Sequence, residues 1–167
     1  MKRVKLINDP ADLVSLFHSV DSDARREILS LLSQGWTPIS DLTEQFGDEA
    51  NAAISFFEKF KLVESRWEVK DSKPQKAYRT FYNAFQISSS LSFDEAQELL
   101  TIVLMTNRKF ASVEKKMDKL VSDEGTFAND VSRKLNLSNL QLKGIMKRSS
   151  QFDFKGHNIV RVGGGES

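Results

Sequence analysis

The chain has 167 residues, 40% of them hydrophobic and 28% charged, which is the length of one domain or two small ones and the composition of a soluble globular protein. With zero cysteines, disulfides, thiol catalysis, Fe–S ligation and zinc-finger sites are excluded. A formal net charge of +1 argues at first against a nucleic-acid partner.

In chain order, the first ten residues have no apolar signal core before Pro10, and no run approaches the roughly 18 apolar residues of a membrane span, so a cytoplasmic protein without a membrane partner is expected. Helical periodicity begins over 11–19 with Leu13, Leu16 and Phe17 on one face. A stronger helix follows over 23–33, where Ile28, Leu29, Leu31 and Leu32 come after the capping residues Asp21 and Ser22, and Gly35 ends it. Thr37-Pro38 reads as an N-cap with proline at the first helical position, opening a helix through Phe46. Gly47 breaks it, and Asp48 caps the next helix, which runs to about Lys61. Ser65 to Val69 then alternates with period two, 70–76 is a polar hairpin tip, and Ala77 to Ile87 supplies a second strand and its continuation.

Ser88-Ser89-Ser90 is the expected boundary. Ser92 with Glu95 forms a capping box for an apolar helix through Thr106, and a charged helix follows over about 110–122. Beyond Gly125 the earlier organisation recurs in miniature. A helix spans Phe127 to Leu135, Asn136-Leu137 turns, and Ser138 with Gln141 caps a helix to about Ser149. Two short strands then alternate around Lys155-Gly156-His157-Asn158. The expected organisation is an N-terminal winged-helix domain over 1–90, a helical linker and dimerisation region over 91–124, a C-terminal helix-turn-helix-like module over 125–162 and a disordered tail over 163–167. The fold class is mainly α with small β-hairpin wings.

The near-neutral charge is an average. Residues 1–90 carry 12 basic and 13 acidic side chains, whereas 125–161 carry seven basic ones against Asp130 and Asp153. A basic C-terminal module is therefore the expected place for phosphate contacts.

Two helix-turn-helix candidates share this chain. In the first half, the stretch Asp23-Ala24-Arg25-Arg26-Glu27-Ile28-Leu29-Ser30-Leu31-Leu32, then Gly35-Trp36-Thr37-Pro38-Ile39-Ser40-Asp41-Leu42 and Leu62-Val63-Glu64, resembles the ArsR-like winged-helix transcription regulators over roughly 11–87. The resemblance implies dimeric DNA binding, with Asp48 to Lys61 as the recognition helix. The thiolate metal site of many family members cannot exist here. The N-terminal turn of that helix carries Asp48 and Glu49, which repel phosphate, leaving Asn51 and Ser55 as base-reading candidates. Lys70, Lys73, Lys76 and Arg79 are candidates for a basic wing.

In the second half, Lys143, Lys147 and Arg148 lie close to helical spacing, Asn139 and Gln141 stand where amides can read adenine edges, and Lys155 and Arg161 belong to the short wing. Leu99, Ile102 and Val103 are candidates for a homodimer interface. No catalytic constellation, cofactor motif or metal-ligand spacing emerges: His18 and His157 are far apart, and Gly163-Gly164-Gly165 precedes no helix. The expected function is a transcription regulator binding double-stranded DNA, not an enzyme. The rival is a protein-interaction adaptor of the transcription machinery.

Overall fold

The structure, a computed structural model, describes residues 2–163, so the tail expected over 163–167 lies, past Gly163, outside the described residues. Backbone packing divides the chain into two units, Met1–Asn8 with Leu16–Ser89 and Asp9–Ser15 with Ser90–Ser167. The switch at Ser89 falls within the serine run that the sequence suggests. The transfer of 9–15 to the second unit does not follow from any local signal.

In the first unit, β1 (Val4–Ile7) pairs in parallel with β5 (Ala84–Ile87), Val4 opposite Ala84 and Ile7 opposite Ile87. Between them come the end of α1 (Asp12–Ser19), α2 (Asp23–Gln34), β2 (Thr37–Pro38), α3 (Ile39–Phe46), α4 (Asp48–Lys59) and the hairpin β3 (Val63–Lys70) and β4 (Lys73–Thr80). Ser22 caps α2 by accepting from the Arg25 amide at 3.2 Å. Thr37 and Pro38 do not open a helix as expected. They pair with Tyr78 and Ala77 in a sheet of order β2-β4-β3. An edge position suits proline, which has no amide to donate. Gly47, at φ +61, makes the turn between α3 and α4. Buried Ile28, Leu32, Leu42, Ala53, Phe57 and Ala77 supply the core. Each large one contributes about 1.5–3 kcal/mol through burial.

In the second unit, α5 (Phe93–Val103) and α6 (Asn107–Leu120) precede β6 (Thr126–Phe127), α7 (Ala128–Leu135), α8 (Asn139–Arg148), β7 (Phe152–Lys155) and β8 (Asn158–Arg161). The sheet order is β6-β8-β7. Phe127 joins this sheet instead of starting a helix, as Thr37 and Pro38 do in the first unit. Both units thus run helix, short strand, two helices, hairpin, with the short strand pairing the second hairpin strand. This mixture of helices and small antiparallel sheets is compatible with a winged helix.

Residues 91–124, expected as a linker and dimerisation region, instead build the second unit's core. Leu99 and Ile102 of α5 and Phe110 and Met117 of α6 cluster with Val131, Leu142, Ile145 and Ile159, and Val103 packs against them. Leu99 and Ile102 are 4% and 0% exposed, so the side chains expected at a dimer interface are already consumed inside one chain. Ala11 and Val14, from before the first unit's helices, belong to the same cluster.

Candidate nucleic-acid interface

In the first unit α4 has two faces. Ala50, Ala53, Ile54, Phe56 and Phe57 are buried, while Asp48, Glu49, Asn51, Ala52, Ser55 and Glu58 are exposed. The outward face is therefore open, and both expected base readers, Asn51 and Ser55, stand on it. Its charge is acidic.

The hairpin beside it is long and regular, paired from Val63 opposite Thr80 to Lys70 opposite Lys73. Asp71 and Ser72 close it with positive φ at both positions, as a two-residue hairpin turn of type I′ requires. Facing lysines repel across a ladder, and here Lys70 turns to the Asp41 carboxylate of α3. Lys76 lies 4.0 Å from Glu58 of α4, and Arg79 donates to Glu64 at 2.5 Å. Lys73 has no ion pair among the described residues. Trp67 and Val69 are 70% and 73% exposed, opposite Lys76 and Pro74. Sequence reasoning did not single out this apolar pair. The signal was present, because Trp67 and Val69 alternate with Arg66, Glu68 and Lys70, and charges on one hairpin face do not imply that the other is covered.

Burial of Tyr78, together with the nearby Glu58 carboxylate, pushes its hydroxyl above the usual value near 10. The hydrogen bond to Asp41 likewise raises Lys70. Both groups hold their proton more tightly when folded, so their contribution is complete below about pH 10 and is lost as the pH rises through the folded values. Tyr78→Phe should flatten the alkaline loss of stability, measured as the urea midpoint from about pH 8 to about pH 11. An unchanged slope would mean that Tyr78 titrates alike in folded and unfolded chains.

The second unit also holds several of its cations in ion pairs. Gln141 is held in the capping box of α8, its Oε1 accepting from the Ser138 amide at 3.1 Å, which diverts it from base reading. Arg148 is 8% exposed. Its guanidinium donates to the Ile102 and Met105 carbonyls at 2.8 and 2.7 Å and to Asn107 Oδ1 at 2.9 Å, over the Phe110 ring. It is a packing residue, out of reach of phosphate. Lys147 lies 2.8 Å from Asp12 and Lys143 lies 3.9 Å from Asp9. Arg161 bridges Asp118 and Asp123 at 3.0 and 3.4 Å. Asn139 and Lys155 are exposed.

Three of the seven basic side chains of the window, Lys143, Lys147 and Arg161, are thus answered by acids outside it: Asp9, Asp12, Asp118 and Asp123. One face of helix α8 is also covered. Gly144 faces Ile102 of α5, where an added Cβ would stand 3.3 Å from Ile102 Cγ1, and Ser15 Oγ donates to the Lys147 carbonyl. The structure sets Asn51 and Ser55 on the outward face of α4 and brings Lys76 to Glu58 of that helix, while Lys70 reaches Asp41 of α3 and Lys73 stands at the hairpin tip. It sets Arg79 at the hairpin base and gives Arg148 to the core.

Of the histidines, His18 is buried and bonds Asp21 through Nδ1 at 2.7 Å, and His157 is exposed. Among the described residues no three His, Asp or Glu side chains are grouped to hold a metal, and no helix is long and apolar enough to cross a membrane.

The family model of the ArsR transcriptional regulators matches residues 7–163, nearly the whole chain. The chain belongs to the ArsR transcriptional regulator family. No curated protein matches it. The ArsR match extends well past the 11–87 stretch that carries the resemblance in sequence, and it takes in both units. An ArsR regulator acts in transcription.

Proposed function

We propose that this chain is a DNA-binding transcription regulator with two winged-helix-like modules, and that it meets double-stranded DNA through the first. The observation that carries this reading is that α4 presents an open outward face with Asn51 and Ser55, next to a hairpin bearing Lys70, Lys73 and Lys76. The corresponding helix of the second module, α8, packs Gly144 against Ile102 of α5 and gives Arg148 to the core, which leaves fewer of its polar side chains to meet DNA. Asn139 and Lys155 are then secondary contacts. Homodimerisation fits a two-fold operator. With Leu99 and Ile102 internal, the apolar side chains left for it are the exposed Phe93 and Leu100 of α5 and Leu104 at its C-cap.

An electrophoretic shift of random and genomic duplexes at two salt concentrations tests the proposal. Binding should weaken by about fortyfold between 50 and 200 mM salt if three phosphates are neutralised, because each contact releases counterions. Two chains per shifted complex are expected. Absence of any shift at the lower salt would overturn the reading. The protein-adaptor role would then take its place, favoured by the acidic face of α4 and the exposed Trp67 and Val69.

A further inference from the structure

Two clefts meet on the first unit beside the last turn of α2. One, of about 410 Å³, is polar and bordered by Arg3, Gln34, Arg79 and Phe81. The other, of about 270 Å³, is lined by Leu29, Leu62, Tyr82 and Phe85. Ser33, Thr80 and Asn83 border both, so a polar cleft and an apolar one adjoin.

The polar end is built, not incidental. The Arg3 amide donates to Asn83 Oδ1 at 3.1 Å, and the Asn83 amide returns a bond to the Arg3 carbonyl at 2.8 Å. Arg79 Nε donates to Glu64 Oε1 at 2.5 Å, while Arg3 Nη1 lies 3.5 Å from the same oxygen. Each guanidinium rests on a ring, Arg3 on Phe81 and Arg79 on Trp36, both at 4.6 Å. One carboxylate thus serves two cations. Among the described residues, no hydrogen bond engages either terminal nitrogen of Arg79 or Nη2 of Arg3.

A guanidinium offers five donors in a planar fork that matches a carboxylate in two parallel bonds. Two such forks with unspent donors, a net positive charge and an adjoining apolar cleft define the ligand by chemistry. The volume lies at the size of small-molecule sites, about 300–1,000 Å³.

The geometry points to a binding site for a small organic acid, its carboxylate held by Arg3 and Arg79 and its hydrocarbon or aromatic body seated between Leu29, Leu62 and Phe85. Arg79 lies on β4, the strand that also carries Lys73 and Lys76 to the hairpin. A ligand drawing Arg79 away from Glu64 therefore bears directly on that strand, and the acid acts as an effector. Binding of the acid does not depend on whether the chain binds DNA.

The test uses the full chain. Trp67→Phe leaves Trp36, on which Arg79 rests, as the single tryptophan. Titration with octanoate or phenylacetate should change its emission saturably, with a midpoint below the millimolar range. Isothermal titration calorimetry on the unmodified chain supplies a readout independent of Trp36. By calorimetry, Arg3→Gln and Arg79→Gln should each weaken binding at least tenfold with the circular dichroism spectrum unchanged. Octanol, without the charge, and inorganic phosphate, without the apolar body, should bind at least tenfold more weakly than octanoate. The proposal is overturned by no saturable binding of either acid, by octanol or phosphate binding as tightly as octanoate, or by affinity that ignores both substitutions.

Discussion

Arg148→Ala should destabilise the second unit by about 3 kcal/mol, the largest effect expected of any charged side chain here. The side chain lies on α8, yet its donors end at the Ile102 and Met105 carbonyls, where α5 stops at Val103. The last carbonyls of a helix lack intrahelical partners and carry partial negative charge, so a cation arriving from another helix caps them. Removing the guanidinium takes away charge-assisted bonds to both carbonyls and to Asn107, together with the stack on Phe110. Arg148→Lys keeps the charge and loses the fork, and should cost about half as much. Urea denaturation followed by far-ultraviolet circular dichroism measures the change. Amide exchange should show protection falling first over 99–103. If Arg148→Ala changes stability by less than about 0.5 kcal/mol, the buried guanidinium is replaceable by water and does not cap α5.

Reversing the hairpin charges, Lys70→Glu with Lys73→Glu and Lys76→Glu, should lower DNA affinity by at least about a hundredfold at 0.1 M salt and reduce the salt slope by about 3. Lys143→Glu with Lys147→Glu on α8 should change affinity by less than about threefold, because the proposed contact lies on the first module's hairpin. Lys70 and Lys76 also hold Asp41 and Glu58, so the triple variant loses local pairing as well as phosphate contacts. Lys73→Glu alone separates the two effects, because Lys73 has no ion pair among the described residues to lose. It should account for about one unit of the salt slope. If the α8 variant weakens binding more than the hairpin variant does, the second module is the reader and the assignment is reversed.

Element type was legible wherever the signal was local. The capping boxes at Ser92 with Glu95 and at Ser138 with Gln141 form as the spacing suggests. Both hairpins sit where alternation meets polar tips. What sequence could not show was pairing over long separations. The strand Val4–Ile7 is four residues whose partner stands 80 positions later. The acids that neutralise Lys143 and Lys147 stand at Asp12 and Asp9, more than 130 residues away. A charge tally over a window counts only what is nearby in chain, whereas Coulomb interaction depends on distance in space. Arg148 shows the same limit. Its helical spacing with Lys143 and Lys147 suggested a shared polar stripe, yet the three end respectively on buried carbonyls, on Asp9 and on Asp12.

The assignment of Asp9–Ser15 to the second unit also sets an order of events during synthesis. Ser15 Oγ meets the Lys147 carbonyl, and Ala11 and Val14 join a core that needs Ile145 and Ile159. These early residues leave the ribosome long before the helices and strands that cover them. At roughly 5–20 residues per second, the interval between Ser89 and Ile159 is roughly 4–15 s. Over that interval the first unit has all its elements, but the apolar face of Ala11 and Val14 has none of its partners. Closing so distant a contact costs loop entropy before it returns any burial, so the second unit should mature last and slowly. A nascent chain halted near residue 90 would carry that uncovered turn.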